Sequence, residues 1–247
     1  EGDGWCDLNF CSLEGANRLY RNLGQWRFQD ITADAGVGCA GQFSKGATFA
    51  DVEGDGDLDL FVTSLGNGVR LFINDGQGHF TETTSLAGLA AKTGSTSLAL
   101  GDVNGDGFLD LYVANFGETS ILRDGGTVST RLVNGKPVVT GRHANRLKII
   151  DGQMVELGEP DGLYLNDGQG RFKLAPWSDF LDEDGRAMQP PWDFGLSVQI
   201  RDLNDDGRPD IYVCNDFQTP DRIWLNTGAG HFRALPRLAM RSLSYAS

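Results

Sequence analysis

The feature that most constrains this chain is a repeated acidic, glycine-rich loop. Three nine-residue segments align without gaps, and each carries oxygen-bearing side chains at positions 1, 3, 5 and 9 and glycine at position 6. The segments are Asp51–Asp59 (DVEGDGDLD), Asp102–Asp110 (DVNGDGFLD) and Asp202–Asp210 (DLNDDGRPD). Each leads directly into an apolar stretch typical of a β-strand. A repeat of this kind decides the architecture before any single residue does.

A second motif, an Asn-x-Gly turn flanked by strand-like sequence, alternates with the loops. It occurs at 18–28, 70–80, 162–172 and 222–232. The order is therefore acidic loop, strand, strand, turn, strand, which describes units of about four short strands. The first two loops are 51 residues apart, whereas the 100 residues from Asp102 to Asp202 hold a single Asn-x-Gly motif and so form one enlarged repeat. Such units predict an all-β chain of four-stranded β-propeller blades.

We predict a partial propeller of about four blades over residues 1–247. The repeats lie at about 1–40, 41–91, 92–178 (with an insertion at 119–160) and 190–238, and a further repeat starts at 239–247. Residues 1–7 match positions 3 to 9 of the acidic loop, and another 51-residue step from Asp202 reaches about position 253. The expectation is a fragment whose open blade faces meet further blades of the same chain or of another chain.

Composition excludes several classes of protein. The 34 glycines with only 8 prolines indicate tight turns between strands and show no collagen period. The formal net charge of -13 argues against a nucleic-acid binder, because phosphate backbones require a basic surface. No apolar run approaches the roughly 20 residues of a membrane helix.

The acidic loop has the donor pattern of a hard-cation site. Side-chain oxygens at positions 1, 3, 5 and 9, with the carbonyl of position 7, suit Ca²⁺, which takes six to eight oxygens, better than Mg²⁺, which requires a tighter octahedron. An EF-hand would need Glu at position 12 and flanking helices, but Val62, Val113 and Val213 stand there in strand-like sequence. The alternative is an acidic turn without metal, which three aligned copies disfavour.

The loop and the LYxNxGxGxF turn together resemble the FG-GAP/VCBS repeats of integrin-α-like propellers. More narrowly, the chain looks like the bacterial ASPIC/UnbV and cartilage-acidic-protein group. The resemblance implies an exported propeller, commonly seven-bladed, with about three full Ca²⁺ sites and a partial fourth. The implied side-chain ligands are Asp51, Glu53, Asp55 and Asp59; Asp102, Asn104, Asp106 and Asp110; and Asp202, Asn204, Asp206 and Asp210. The implied carbonyl ligands are Asp57, Phe108 and Arg208, and the partial site is Glu1, Asp3, Trp5 and Asp7. The Phe-Gly pair of the family is clear only at 116–117 and 194–195.

The four cysteines allow one disulfide. Strand direction places Cys11 and Cys39 at the same end of the first blade, whereas Cys6 lies at the opposite end. We therefore predict a Cys11–Cys39 disulfide, with small buried thiols as the alternative.

The insertion carries an unexpected positive charge. Between 123 and 150, six Lys and Arg residues oppose a single Asp, in a chain that is otherwise acidic. Because the insertion follows a second strand, it is expected at the end of the blades opposite the acidic loops. The candidate partner-binding residues there are Arg131, Lys136, Arg142, Arg146, Lys148, Trp177 and Trp192. The alternative is that the insertion and the connection at 176–195 dock on each other as a structural cap.

Two functions are compatible with these features. The first is a non-enzymatic, calcium-binding scaffold for protein or glycan interaction or adhesion, located extracellularly, in the periplasm or at the cell surface. The second is an extracellular propeller enzyme, such as a polysaccharide lyase that uses the basic insertion. The first is favoured because no general acid/base set assembles from the sequence once the acidic clusters are assigned to metal.

Overall fold

The computed structural model describes residues 4–117, 128–141, 144–150, 152–216 and 219–236. These residues form almost entirely antiparallel β-sheet, which confirms the predicted all-β class. The helical pieces among them are α1 (Thr32–Ala35) and two 3-10 turns (Ala144–Arg146 and Trp177–Asp179). The strands assemble into separate sheets that we call blades 1 to 4 in chain order.

Blades 1 and 2 are meanders of strands that are consecutive in sequence. Blade 1 consists of β1 (Leu8–Phe10), β2 (Arg18–Asn22) and β3 (Phe28–Asp30). Blade 2 consists of β4 (Phe43–Ala50), β5 (Asp59–Leu65), β6 (Gly68–Asn74) and β7 (Phe80–Glu82). The acidic loop joins the first two strands of blade 2. We call the end of the blades with these loops the lower end, and the opposite end the upper end.

Blade 3 contains the insertion. Its four strands are β8 (Ser95–Gly101), β9 (Asp110–Asn115), β14 (Gly162–Asn166) and β15 (Phe172–Leu174). The described part of the insertion forms two hairpins, β10 (Ser129–Val133) with β11 (Lys136–Thr140), and β12 (Leu147–Ile150) with β13 (Gln153–Glu156). Despite its length, the insertion leaves the antiparallel pairing of β9 with β14 intact.

Blade 4 has one strand more than the sequence predicts. Its strands are β17 (Gly195–Arg201), β18 (Asp210–Asn215), β19 (Arg222–Gly228) and β20 (His231–Ala234), with β16 (Phe180–Leu181) added at the outer edge. β16 belongs to the connection between blades 3 and 4 and runs parallel to β20. An edge strand with unpaired backbone groups accepts such an addition, and the connection protects it.

The blades are held together by apolar contacts on both faces of the second strands of blades 2 and 3, β5 and β9. In β9, Leu111 and Val113 pack in a cluster with blade 2, whereas Tyr112 and Ala114 pack in a cluster with blade 4. Alternate residues of a strand point to opposite faces, so a strand buried on both sides reads as a continuous apolar run. This explains the unbroken apolar stretches that follow the acidic loops.

The face of blade 1 turned away from blade 2 is exposed and apolar. Leu8 and Phe10 lie on it, and Phe10 is 56% exposed. The residues that match Leu8 in blades 2 to 4 are Leu60, Leu111 and Ile211, and all three are fully buried. The composition of this face is therefore that of an interblade contact surface.

The end of the insertion docks on the connections that lead into blades 3 and 4. The Gly158 amide donates to the Trp192 carbonyl at 3.3 Å, and the Gly94 amide donates to Glu159 Oε2 at 2.7 Å. A Cβ atom at Gly158 would overlap the backbone carbonyl of Asp193. Glycine is therefore required at this position by the close approach of two backbones.

Gly158→Ala should destabilise the fold by about 1–3 kcal/mol or more, because the added methyl group must push two backbones apart. Urea unfolding measures this effect. Gly15→Ala is the matched control, because its new Cβ would meet only Ser12 Oγ, at 3.4 Å. Equal stability of the two variants would contradict the docked arrangement.

Candidate functional site

The acidic loops of blades 2, 3 and 4 occupy the same place in each blade. Each connects the first strand to the second at the lower end, and the second strand begins at the ninth loop position, at Asp59, Asp110 or Asp210. A strand rather than a helix follows each loop, so an EF-hand is excluded for these segments.

The first carboxylate of each loop organises the loop backbone. In blade 3, Asp102 Oδ1 accepts hydrogen bonds from the amides of Gly105 (2.7 Å) and Asp106 (3.1 Å), and Oδ2 accepts from Gly107 (2.9 Å). Asp51 and Asp202 accept corresponding bonds in their loops. The loop is thus wound around the carboxylate at position 1.

The fourth loop position requires a left-handed backbone. Gly54 and Gly105 adopt it with φ of 74° and 82°, and Asp205 adopts it with φ of 64°. A residue with a Cβ atom is strained there, although Asp tolerates this conformation better than most residues do. Loop 202–210 therefore carries backbone strain that its two counterparts avoid.

Positions 3 and 5 lie in contact at the exposed side of the loop. Asn104 Nδ2 donates to Asp106 Oδ2 at 2.8 Å, and Asn204 does the same to Asp206 at 3.0 Å. In the last loop the Arg208 guanidinium also pairs with Asp206. A cation supplied by the chain itself thus partly neutralises the position-5 carboxylate of this loop, a pairing that the other two loops lack among the described residues.

The carboxylate at position 9 is a buried hydrogen-bond centre, and all three copies are at most 1% exposed. In blade 3, Asp110 Oδ2 accepts from the Val103 amide at 3.1 Å, and Oδ1 accepts from the Asn166 amide at 2.9 Å. Burial, with a contribution from the neighbouring loop carboxylates, raises the pKa of Asp110 to about 6, and the pKa of Asp59 likewise. Through its two hydrogen bonds, the carboxylate at position 9 joins the loop to the third strand of its own blade.

The asparagine whose backbone amide donates to this carboxylate also contacts the preceding blade. Asn166 Nδ2 donates to the Leu109 carbonyl at 3.2 Å and to the Val52 carbonyl of blade 2 at 2.9 Å, and its Oδ1 accepts from the Gly168 amide. Asn226 makes the same set of bonds one blade later. We call this arrangement the Asp–Asn latch.

Sequence reasoning treated these asparagines as turn residues and missed the latch. A signal was present, because Asn74 follows Asp59 by 15 residues and Asn226 follows Asp210 by 16. The insertion hides the same pair in blade 3, where 56 residues separate Asp110 from Asn166.

The donor set of the loops fits Ca²⁺ in its chemistry, since it consists of carboxylate, amide and carbonyl oxygens. Among the described residues, no three His, Cys, Asp or Glu side chains converge as a closed metal cluster. The loop carboxylates instead point at backbone amides of their own loop or blade. Of the predicted partial site, Trp5 and Asp7 are described, whereas Glu1 and Asp3 lie outside the described residues.

A second latch was also missed from sequence. It occurs at the upper end of blade 3 and again at the upper end of blade 4, each time within one blade. Asp161 Oδ2 accepts from the Tyr112 hydroxyl at 3.0 Å, and Oδ1 accepts from the Asn115 amide at 2.8 Å. Asp221 binds Tyr212 and the Asn215 amide in the same way. Each of these carboxylates follows a proline. The proline carbonyl accepts from the side chain of the asparagine whose amide binds the carboxylate. In these two blades, a Pro-Asp pair therefore marks the start of the third strand.

The predicted partner-binding residues divide into exposed and buried groups. Arg131, Lys136 and Lys148 are exposed on the insertion hairpins, whereas Arg146 pairs with Glu156 at 3.0 Å. Arg142 lies outside the described residues. Three described cations of the insertion are therefore available to a partner.

The two tryptophans predicted with them have different environments. Trp177 packs against Phe180 and Trp224, with ring centroids 4.6 and 5.9 Å apart, at the edge of the blade 3–blade 4 core. Trp177 is therefore partly buried against this core, and its role toward a partner stays a prediction. Trp192 remains 40% exposed at the upper end.

All four cysteines are free thiols in this structure, so the predicted Cys11–Cys39 disulfide is not formed in it. Both thiols nevertheless border the core cluster between blades 1 and 2. Burial raises the pKa of the Cys39 thiol to about 11.

A comparison with protein families identifies the type of repeat. The model of the FG-GAP-like repeat matches residues 1–62 and 51–113, each match running from one acidic loop into the next. Residues 1–113 of this chain therefore carry FG-GAP-like repeats. The repeat assignment made from the acidic loops and turns is therefore confirmed, whereas the narrower likeness to the ASPIC/UnbV and cartilage-acidic-protein group stays a prediction. The match indicates a repeat and no enzyme family.

A search of the curated proteins found no match. Among solved structures, the chain is similar to one described as the structural basis of specific recognition of non-reducing terminal N-acetylglucosamine by an Agrocybe aegerita lectin. That alignment has 19% identity, covers 95% of this chain and 67% of the other, and has a TM-score of 0.30, so no ligand is inferred from it. In the described ranges, no helix has the length and apolar character needed to cross a membrane.

The upper latch predicts a pH dependence. Burial raises the pKa of Asp161 to about 7, with Asp193 also raising it and Asn115, Tyr112 and Arg222 opposing. Because the folded protein holds this proton more tightly than the unfolded chain, the carboxyl favours folding fully below about pH 4 and progressively less as the pH rises to about 7.

The stability of the native protein relative to Asp161→Asn should therefore fall by up to about 4 kcal/mol between pH 4 and pH 8, at ~1.4 kcal/mol per pKa unit. Urea unfolding at a series of pH values measures the difference. Asp221→Asn controls for loss of the hydrogen bonds themselves. Stability curves that stay parallel for native protein and Asp161→Asn would contradict the raised pKa.

Proposed function

We propose that this FG-GAP repeat protein is a non-enzymatic, calcium-stabilised interaction scaffold that acts outside the cytoplasm. The observation that carries the proposal is the acidic loop, which is built around the same carboxylates and the same backbone hydrogen bonds in three successive blades. Three equivalent loops at one end of the fold favour a shared structural role over a single catalytic centre.

The residues that would hold the ion are inferred from the donor pattern of the blade 3 loop. Asp102, Asn104 and Asp106 provide side-chain oxygens, Asp110 closes the loop, and position 7 provides its carbonyl. Bound Ca²⁺ would supply positive charge where these carboxylates crowd together. In the blade 2 loop, the pKa of Glu53 is raised by partial burial and by the nearby Asp55 and Asp51, which reports the same crowding. The last loop should bind most weakly, because Arg208 already pairs with Asp206.

The composition of the loops supports a location where calcium is abundant. The blade 3 loop has three carboxylates and is exposed over positions 4 to 7. Calcium sites in extracellular modules typically bind with dissociation constants of about 10⁻⁴–10⁻³ M, weaker than cytosolic sensors. Loops of this kind are expected to fill outside the cytoplasm.

The upper end supplies the surface for a partner. The β10–β11 hairpin presents Arg131 and Lys136 beside Leu132, which is 75% exposed. Exposed cations next to apolar side chains, in a chain of net charge -13, suit an acidic protein or glycan. The lyase alternative gains no support here, because Arg146 and Arg222 are engaged by Glu156 and Asp193.

Calcium should stabilise the protein. A site filled to 100 times its dissociation constant adds about 2.7 kcal/mol to the free energy of unfolding. The melting temperature should therefore be higher in millimolar Ca²⁺ than in EDTA, and Asp106→Ala should lose part of this difference. Asp75→Asn, which removes an exposed carboxylate from a neighbouring turn, should keep it. Identical melting curves in Ca²⁺ and EDTA, with elemental analysis showing the metal present in one and absent in the other, would refute the structural role.

The hairpin should dominate binding of an acidic glycan. The double variant Arg131→Glu/Lys136→Glu should bind polygalacturonate about tenfold more weakly, because it reverses two exposed charges, and the remaining binding should weaken with salt. Calorimetry against polygalacturonate and neutral dextran measures this. Arg171→Glu/Lys173→Glu reverses two exposed charges elsewhere on blade 3 and should leave the affinity unchanged. Equal loss in both double variants would show that net charge, not the hairpin, governs binding.

A further inference from the structure

Each described acidic loop that has a following blade is held by an asparagine of that blade. Val52, the second residue of the blade 2 loop, is 2% exposed. Its carbonyl accepts from Asn166 Nδ2 at 2.9 Å and from the Gly170 amide at 3.3 Å, and both donors belong to the turn of blade 3. The loop of one blade is therefore in direct contact with the turn of the next.

The same contact recurs one blade further along. The Val103 carbonyl accepts from Asn226 Nδ2 at 2.8 Å, and the Cβ position of Gly230 lies 3.6 Å from the Cβ of Asn104. Blade 4 therefore holds the blade 3 loop through the residue equivalent to Asn166. Two independent copies make this a property of the repeat.

The contact acts on the part of the loop that carries metal ligands. Val52 donates its amide to Asp59 at the end of its own loop, and its carbonyl is bound by the next blade. Its neighbours are Asp51 at position 1 and Glu53 at position 3. A shift of the blade 3 turn therefore moves the backbone between two predicted ligands.

We propose that Asn166 and Asn226 are positioning residues for the metal loops of the preceding blades, so that metal binding in a loop and packing of its blade against the next are coupled. The proposal rests on the proposed calcium function. Coupling between two binding events is reciprocal. An occupied loop therefore strengthens the interblade contact, and a well-packed interface strengthens metal binding.

Hydrogen exchange measured by mass spectrometry can separate the loops. Asn166→Ala should speed exchange in segment 51–58 about fivefold in EDTA, as expected for loss of one hydrogen bond. It should also raise, by about the same factor, the free Ca²⁺ concentration that protects this segment. Asn226→Ala should do the same to segment 102–109.

Asn74→Ala is the matched control. It removes the bonds to Leu58 and Gly76 within blade 2, so it measures the effect inside one blade. Asn74→Ala is expected to disturb only the loop of its own blade, segment 51–58. If Asn166→Ala likewise disturbs only the loop of its own blade, segment 102–109, coupling between blades is overturned. Should Asn166→Ala unfold, Asn166→Ser also removes the Nδ2 donor, keeps an oxygen acceptor for the Gly168 amide and adds no charge at this buried position.

The exchange measurements in Ca²⁺ and in EDTA test the proposed function and the positioning role separately. If Ca²⁺ leaves exchange of the native protein unchanged in all loops, the proposed function fails and metal coupling is refuted with it. Faster exchange of segment 51–58 in chelated Asn166→Ala would then still establish that Asn166 positions the loop of the preceding blade.

Discussion

The buried carboxylate at the ninth loop position is the interaction on which the other parts of a blade depend. Asp59, Asp110 and Asp210 each accept one amide from the acidic loop and one from the asparagine that opens the turn. A buried carboxylate without such partners would be costly, so loop, second strand and third strand must assemble together. In blades 3 and 4 the side chain of the same asparagine also donates a hydrogen bond to the preceding blade.

The two ends of the molecule differ in what they expose. The lower end collects acidic loops whose carboxylates are held by backbone amides, and the raised pKa values of Asp59 and Asp110 reflect burial and the proximity of further carboxylates. The upper end exposes the basic hairpin of the insertion. The two ends of the described blades therefore differ in the sign of the charge that they expose.

The long connections of blades 3 and 4 pack against the blades and pair with their strands. Gly158 brings the insertion against the backbone of residue 193, and β16 completes the outer edge of blade 4. The rings of Phe116 and Phe194, from the two clear Phe-Gly pairs, lie 5.1 Å apart at this junction. The insertion and the connection thus support each other, as one of the two sequence interpretations anticipated.

Residue patterns alone determined the repeat, the all-β class and the position of each acidic loop before a strand, because loop spacing and strand composition are local properties. They also indicated the oxygen donors of the candidate metal loops and the basic character of the insertion. Tertiary structure decided which donors are buried, as for Asp110, and which aromatic side chains pack against a core, as Trp177 does. It also decided that Asn166 binds Val52, 114 residues earlier in the chain. That contact depends on how one blade stacks on the next, which no local pattern specifies.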